Sequence, residues 1–186
     1  MYGAMVNINR LKNKVIVLDT CVFIMDYDPM NINQEQYTVP QVINELNEDS
    51  IGRLRLLIAI EQGRVKLKTP MNKYIDMIED YSIKMGDSLF LSDVDKNILA
   101  LAKELMDEGY NIILLSDDYS IQNVADGLGL EYFSLSTLGI RYRYDWEQYC
   151  PACHKVYSQD NKMGICQICG TRLRLRVKRK SRLRAK

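Results

Sequence analysis

Histidine is nearly missing from this chain, cysteine is sparse and no apolar run is long. The single imidazole among 186 residues, His154, argues against ribonuclease chemistry that pairs two histidines as acid and base. The longest apolar stretches, Val15-Ile16-Val17-Leu18 and Ile112-Ile113-Leu114-Leu115, fall far short of the roughly 20 residues that cross a bilayer. No charged segment followed by a long apolar stretch opens the chain, so no signal peptide is expected. The expectation is a cytoplasmic protein with no membrane and no small-molecule substrate as partner. Its thiols would stay reduced, and closely paired cysteines would then mean metal rather than disulfides.

What is present suits one ordinary domain with a small appendage: 186 residues, 47% of them hydrophobic. The net charge of +1 conceals an uneven distribution. Residues 1–149 carry 14 Lys or Arg against 23 Asp or Glu, a net −9, while residues 172–186 carry nine basic residues and no acid. An acidic body with a basic end is the asymmetry of a chain that must find a polyanion; a solvated tail that only aids solubility is the plain alternative.

Val15–Leu18 reads as a strand buried on both faces and ending at Asp19. Thr20 can cap a short helix through Met25. Then come a strand at Tyr37-Thr38-Val39 and a helix from Pro40 to about Glu48. Ser50 caps a further helix, with Leu54, Leu57, Ile58 and Ile60 as its apolar stripe and Gly63 as its stop. A strand over 65–69 and a helix from Met71 to about Met85 follow. The clearest helix spans Ser92 to Glu108, with Ile98, Leu99, Ala102, Leu105 and Met106 on one stripe. A second apolar strand over 111–116, a helix over 119–128 and a short strand at 131–133 complete the series. This alternation predicts an α/β fold, a parallel sheet flanked by helices on both faces.

Cys150-Pro-Ala-Cys153 and Cys166-Gln-Ile-Cys169 are two C-x-x-C knuckles. That pattern places four thiolates around one structural Zn²⁺ in a zinc ribbon, and a site filled by four sulfurs is closed to catalysis. His154, inside the first turn, is not expected to be a fifth ligand. Cys21 reads as a small buried hydrophobe rather than a nucleophile, since no histidine is placed to activate it.

The carboxylates are more ambiguous. Asp19 ends one apolar strand and Asp118 follows another, so both belong at the strand ends where open parallel sheets bind ligands. Asp95 stands three residues after Ser92, the place of a capping-box acid, and Glu45 could be solvated on an amphipathic helix. Asp117-Asp118 could simply favour the dipole of the helix they precede. If the acids cluster, a divalent cation must offset their repulsion, and hard oxygen donors suit Mg²⁺ or Mn²⁺ for phosphodiester hydrolysis.

In order, Val15-Ile-Val-Leu-Asp19-Thr20, Pro40-Gln-Val-Ile-Asn-Glu45-Leu46, Leu91-Ser-Asp-Val-Asp95-Lys-Asn-Ile-Leu-Ala-Leu-Ala102 and Leu115-Ser-Asp-Asp118-Tyr resemble the four acidic motifs of PIN-domain nucleases. Asp118-Tyr-Ser-Ile-Gln122-Asn123-Val followed by the ribbon resembles the Nob-type endonucleases of small ribosomal subunit assembly, in their short archaeal form. The resemblance implies a PIN-like sheet over 1–138, a zinc ribbon over 139–171, and catalytic Mg²⁺ or Mn²⁺ held by Asp19, Glu45, Asp95 and Asp118. Asp93 would be an accessory or a bystander, Asp118 fits the motif better than Asp117, and Ser116 replaces a common threonine. The implied reaction is endoribonucleolytic cleavage that makes the mature 3′ end of precursor small-subunit rRNA. The partners implied are the pre-small ribosomal subunit and a KH-domain assembly factor. A non-catalytic RNA-binding factor of ribosome assembly, or a PIN ribonuclease acting on other RNAs, are the alternatives.

The basic tail, 172–186, lies outside that resemblance and rests on charge alone. Before the ribbon, Arg141-Tyr-Arg143-Tyr-Asp-Trp146 alternates basic and aromatic residues. Extended, it would put Arg141 and Arg143 on one face for phosphates and the tyrosines on the other for bases, or for packing between domains. Arg141, Arg143, Arg172, Arg174 and Arg176 are the candidate RNA contacts.

Overall fold

A computed structural model describes residues 13–25, 27–85, 91–135, 142–157 and 164–182, with backbone alone for Met85, 142–146 and 179–182. The first unit runs through β1 (Val15–Leu18), α1 (Thr20–Ile24), β2 (Gln36–Thr38), α2 (Gln41–Glu45), α3 (Ile51–Glu61), β3 (Val65–Leu67), α4 (Asn72–Met85), α5 (Asp93–Asp107), β4 (Ile112–Leu115) and α6 (Tyr119–Gly127). The two-residue strand β5 (Tyr132–Phe133) closes it. The strands are all parallel, in the order β3-β2-β1-β4-β5. β1 and β4 are buried along their whole length, which is why both are continuous β-branched and leucine runs. Their register sets Val15 opposite Ile112 and Leu18 opposite Leu115, so they end level. From β1 the chain moves outward to β2 and β3, then returns to β4 on the other side. The strand order therefore reverses between β1 and β4, and the crevice beyond their carboxyl ends is the topological switch point.

α5 starts with a capping box: the Ser92 hydroxyl accepts from Asp95 N at 3.1 Å, and the Asp95 carboxylate accepts from Ser92 N at 2.7 Å. Ile98, Leu99, Ala102 and Leu105 are buried as the periodicity requires, together with Ala100 and Leu101, because α5 lies between the sheet and α4. Glu104, 2% exposed, accepts from Met71 N at 2.8 Å and pairs with Lys68 at 3.1 Å, tying the end of β3 to this helix. A buried carboxylate survives there only because both partners meet it.

α3 corrects the expected stripe. Leu54, Leu57 and Ile58 are exposed, whereas Gly52, Leu56 and Ala59 are buried. The cause is at Gly52: a Cβ built there would stand 2.5 Å from the Phe23 carbonyl oxygen. Helix α3 approaches the end of α1 through its smallest residues, and that contact fixes its rotation.

The second unit is an antiparallel sheet in the order β7-β6-β8, with β6 (Tyr142–Tyr149), β7 (Val156–Tyr157) and β8 (Arg174–Arg182). β8 runs along β6 from Tyr149 opposite Arg174 to Tyr142 opposite Arg182, with an irregularity at Asp145/Trp146. The segment read as a tail is thus a strand over 174–182. Arg172-Leu-Arg-Leu-Arg-Val-Lys178 alternates as a strand should, with Arg172, Arg174 and Arg176 exposed and Leu173 and Leu175 half-buried. Arg141 lies outside the described residues.

Gly52→Ala is expected to lower stability by about 1–3 kcal/mol, since the new methyl group meets backbone rather than a side chain that can move. Thermal melting checks this; a change under about 0.5 kcal/mol, the level of an ordinary surface substitution, would refute the close approach.

Candidate active site

Asp19 leaves β1 at the switch point and caps α1. It is 4% exposed. One carboxylate oxygen accepts from Thr20 N at 2.6 Å, and the other from the Ser116 hydroxyl at 2.7 Å and the Cys21 thiol at 3.1 Å. The cap of α1 is therefore Asp19 and not Thr20. Thr20 instead donates its hydroxyl to Glu45 at the end of α2, a short contact that joins the first and second acids.

Ser116, directly after β4, has two roles. It donates to Asp19 and accepts from Asp118 N at 3.1 Å. Asp118 caps α6, and one of its oxygens accepts from Ser120 N at 2.6 Å and Ile121 N at 3.3 Å. Gln122, one turn into α6, donates to the Ser116 carbonyl at 2.6 Å and holds the turn from behind. Asp117 faces other duties: its carboxylate accepts from the Ser134 hydroxyl at 2.6 Å and Leu135 N at 2.7 Å, linking β4 to the end of β5. Asp93 is 95% exposed and pairs loosely with Lys96.

Electrostatics join what these bonds hold. Burial pushes the Asp19 carboxyl above its usual range against the pull of the Ser116 and Cys21 bonds, and the charge of Asp95 pushes it further. Burial likewise raises Asp95, with the charges of Asp118 and Glu45 adding to it. Asp95 thus shares a field with each of the other three motif acids, Glu45 and Asp118 exposed and Asp19 and Asp95 more enclosed. Among the described residues, no three carboxylates draw their oxygens as close together as the four thiols below. Asp19 and Asp118 cap helices and Asp95 closes the capping box of a third, a setting at helix amino ends that favours anionic carboxylates. Oxygen-only donors, partly enclosed and mutually repelling, fit a hard divalent cation that keeps several waters. Cys21 fills a gap the sequence did not suggest. Its sulfur accepts from Asp117 N at 3.2 Å while donating to Asp19, and burial beside that carboxylate drives its acidity far down, so it is a neutral thiol tie between the two strand ends.

The second cluster is made of sulfur. Cys150, Cys153, Cys166 and Cys169 hold their Sγ atoms within 4.8 Å of one another. Two pairs stand at 3.4 and 3.5 Å, near the roughly 3.8 Å edge of a tetrahedron with metal–sulfur bonds of about 2.3 Å. The knuckles are copies of one turn. His154 N bonds the Cys150 carbonyl and Gly170 N the Cys166 carbonyl, both at 2.9 Å, with φ of 60° and 70°. His154 occupies the glycine position of the first turn, so it is no ligand. Tyr157 places its hydroxyl 2.9 Å from Cys166 Sγ and takes a bond from Gln167 N at 3.1 Å. Burial opposes it, but this hydroxyl and the Cys169 and Ile168 amides bring the Cys166 thiol down to about 6, the condition for a thiolate ligand.

Comparison with known proteins gives the class and then the family. Residues 16–105 match the model of the PIN domain of ribonuclease, so the crevice at β1 and β4 is that of a PIN-domain ribonuclease. The chain is 36% identical to endoribonuclease Nob1 of Methanocaldococcus jannaschii over 93% of this chain and 82% of that protein. It is 35% identical to endoribonuclease Nob1 of Methanothermobacter thermautotrophicus over 84% of this chain and 90% of that one. Ribonuclease VapC1 of Thermoplasma acidophilum is 32% identical over 91% of this chain and 82% of its own length. The chain belongs to the family of Nob1 endoribonucleases.

Because folding raises the Asp19 pKa, the native state binds more protons than the unfolded one between the two values, and the ionised form weakens the fold above them. Asp19→Asn, in EDTA, is therefore expected to raise the melting temperature at pH 7. The gain should shrink as pH falls through the native pKa toward the ordinary carboxylate range. A variant less stable than wild type at pH 7 would count against this account.

Proposed function

We propose that this protein is a metal-dependent endoribonuclease that hydrolyses one phosphodiester in precursor small-subunit rRNA and so generates its mature 3′ end. The observation that carries the reading is the hydrogen-bonded run from Asp19 through Ser116 to Asp118 at the switch point, with Asp95 and Glu45 in its field. Asp19, Glu45, Asp95 and Asp118 would hold Mg²⁺ or Mn²⁺, which supplies hydroxide near neutral pH and charge stabilisation at phosphorus. The chain's own part is positional. Ser116 and Cys21 favour the ionised form of Asp19 against its burial and aim it, and the amides of α6 fix one oxygen of Asp118 so that the other can face a cation. Thr20 orients Glu45.

The four cysteines would bind one Zn²⁺ that folds the ribbon and takes no part in the reaction. Exposed Arg172, Arg174 and Lys178 would hold RNA backbone, together with Arg143 and Arg141. Arg176 is partly committed elsewhere: it pairs with Glu147 at 2.7 Å and lies over the Tyr149 ring at 4.9 Å. The pre-small subunit is the setting in which such RNA would be met, with a KH-domain factor as companion, in the cytoplasm; among the described residues no helix is long and apolar enough to cross a membrane. The similarity to ribonuclease VapC1 favours a second reading, cleavage of other RNAs by the same acids. A non-catalytic scaffold is disfavoured, since it has no use for carboxylates that repel one another.

Incubating precursor small-subunit rRNA with Mn²⁺ should give a single cut at the mature 3′ end. Asp19→Asn should slow it by at least about 10²–10³-fold, on the scale of losing a group that positions transition-state charge, and EDTA should stop it. Equal cutting by both proteins refutes the chemistry, and equal cutting of unrelated RNAs selects the second reading. In binding assays, each of Arg172→Ala, Arg174→Ala and Lys178→Ala should flatten the slope of log K against log salt by about 0.7 if its side chain meets a phosphate.

A further inference from the structure

Tyr110 and Tyr119 are the strongly exposed aromatic side chains among the described residues, at 42% and 62%, and they flank the same strand. Tyr110 precedes β4, on the far side of the sheet from the acids. Tyr119 follows Asp118 directly and is the first residue of α6. Its backbone is held in place, because the bonds of Asp118 to Ser120 N and Ile121 N close the turn around it. Single exposed aromatics are ordinary on protein surfaces; what distinguishes Tyr119 is that it is rooted one residue from a motif acid.

The surroundings of that acid give a substrate little electrostatic reason to stay. Residues 1–149 carry a net −9, and Asp19, Asp93, Asp95, Asp117 and Asp118 all belong to the elements around the crevice. Phosphate is repelled there except where a cation intervenes, so affinity close to the cut must come from a contact indifferent to charge. Every nucleobase has a π-face, and stacking on an aromatic ring tolerates any sequence.

We propose that Tyr119 is the stacking platform for an unpaired base next to the scissile phosphate, a nucleobase site within the cleavage centre. The inference rests on the reading of the acids as the place where RNA is cut. Tyr119 then orients the strand across Asp19 and Asp118, while β8 supplies the salt-sensitive grip farther along. The ring provides specificity for single-stranded over paired RNA, because a base inside a duplex has no free face to offer.

The test uses the full chain and a single-stranded RNA spanning the cut, with 2-aminopurine placed at the nucleotide on either side of it. Wild type should quench that fluorescence on mixing, before turnover. Tyr119→Leu should lose the quenching and raise KM about tenfold, the equivalent of about 1.4 kcal/mol, with kcat within about twofold. Tyr119→Phe should restore both, and Tyr110→Leu should match wild type. The Tyr119→Leu defect should keep its size from low to high salt, unlike the defects of the β8 variants. Wild-type KM and quenching in Tyr119→Leu overturn the proposal, as does a Tyr119→Phe protein as impaired as Tyr119→Leu, which would mean that the hydroxyl and not the ring does the work. Cleavage that survives Asp19→Asn unchanged defeats the reading of the acids instead, and does so whatever the quenching shows.

Discussion

Asp19 is a carboxylate almost removed from water, and the arrangement around it follows from that removal. A lone buried carboxylate would take up a proton; here a helix amide, a hydroxyl and a thiol converge on its two oxygens. Those donors come from α1 and from the residue that ends β4, so the level pairing of β1 with β4 is what assembles them. A register slip of one residue would turn Ser116 to the other face and leave one oxygen of Asp19 with the weak Cys21 thiol as its donor. The most regular part of the fold, two apolar strands side by side, is therefore also what sets the position of the least tolerant group.

Helix capping and metal binding are commonly opposed as explanations for an acid at a helix start. On the proposed reading they are the same device at this crevice. Asp19 and Asp118 each cap a helix and Asp95 closes the capping box of another, so the amide dipoles of three helix starts offset part of the repulsion among the acids. Cap bonds also fix the side chains in advance, which reduces the ordering cost of coordination. The residual cost is visible in Asp19 and Asp95, whose carboxyls burial and neighbouring charge push above their usual range, as they would at a site whose charge awaits a partner.

Much of this was legible in the residues. Two apolar runs ending in aspartate, a capping-box serine before a long amphipathic helix, and paired C-x-x-C turns each carry a period or spacing that local physics reads directly. Less legible were features decided by contact between distant segments. The rotation of α3 depends on Gly52 meeting the Phe23 carbonyl, which outweighs three larger apolar residues on the opposite face. The thiol of Cys21 read as a hydrophobe because its partners, Asp19 and the Asp117 amide, meet only in the fold. The strand at 174–182 carries a signal of its own, alternation of basic and aliphatic residues over 172–178, hidden beneath the charge run that contains it.

That last strand changes what the ribbon is. β6 finds its long partner only after the chain has passed through both knuckles, so residues 150–173 form a loop whose ends must be brought together before the sheet exists. Closing such a loop costs entropy that a metal clip is suited to offset, and a strand rich in arginine gives little in return until its partner is in register. On the proposed reading, assembly of the RNA-holding surface becomes conditional on the supply of the ion, while the domain with the acids folds on its own core. How firmly the substrate is held would then depend on an ion that takes no part in cutting it.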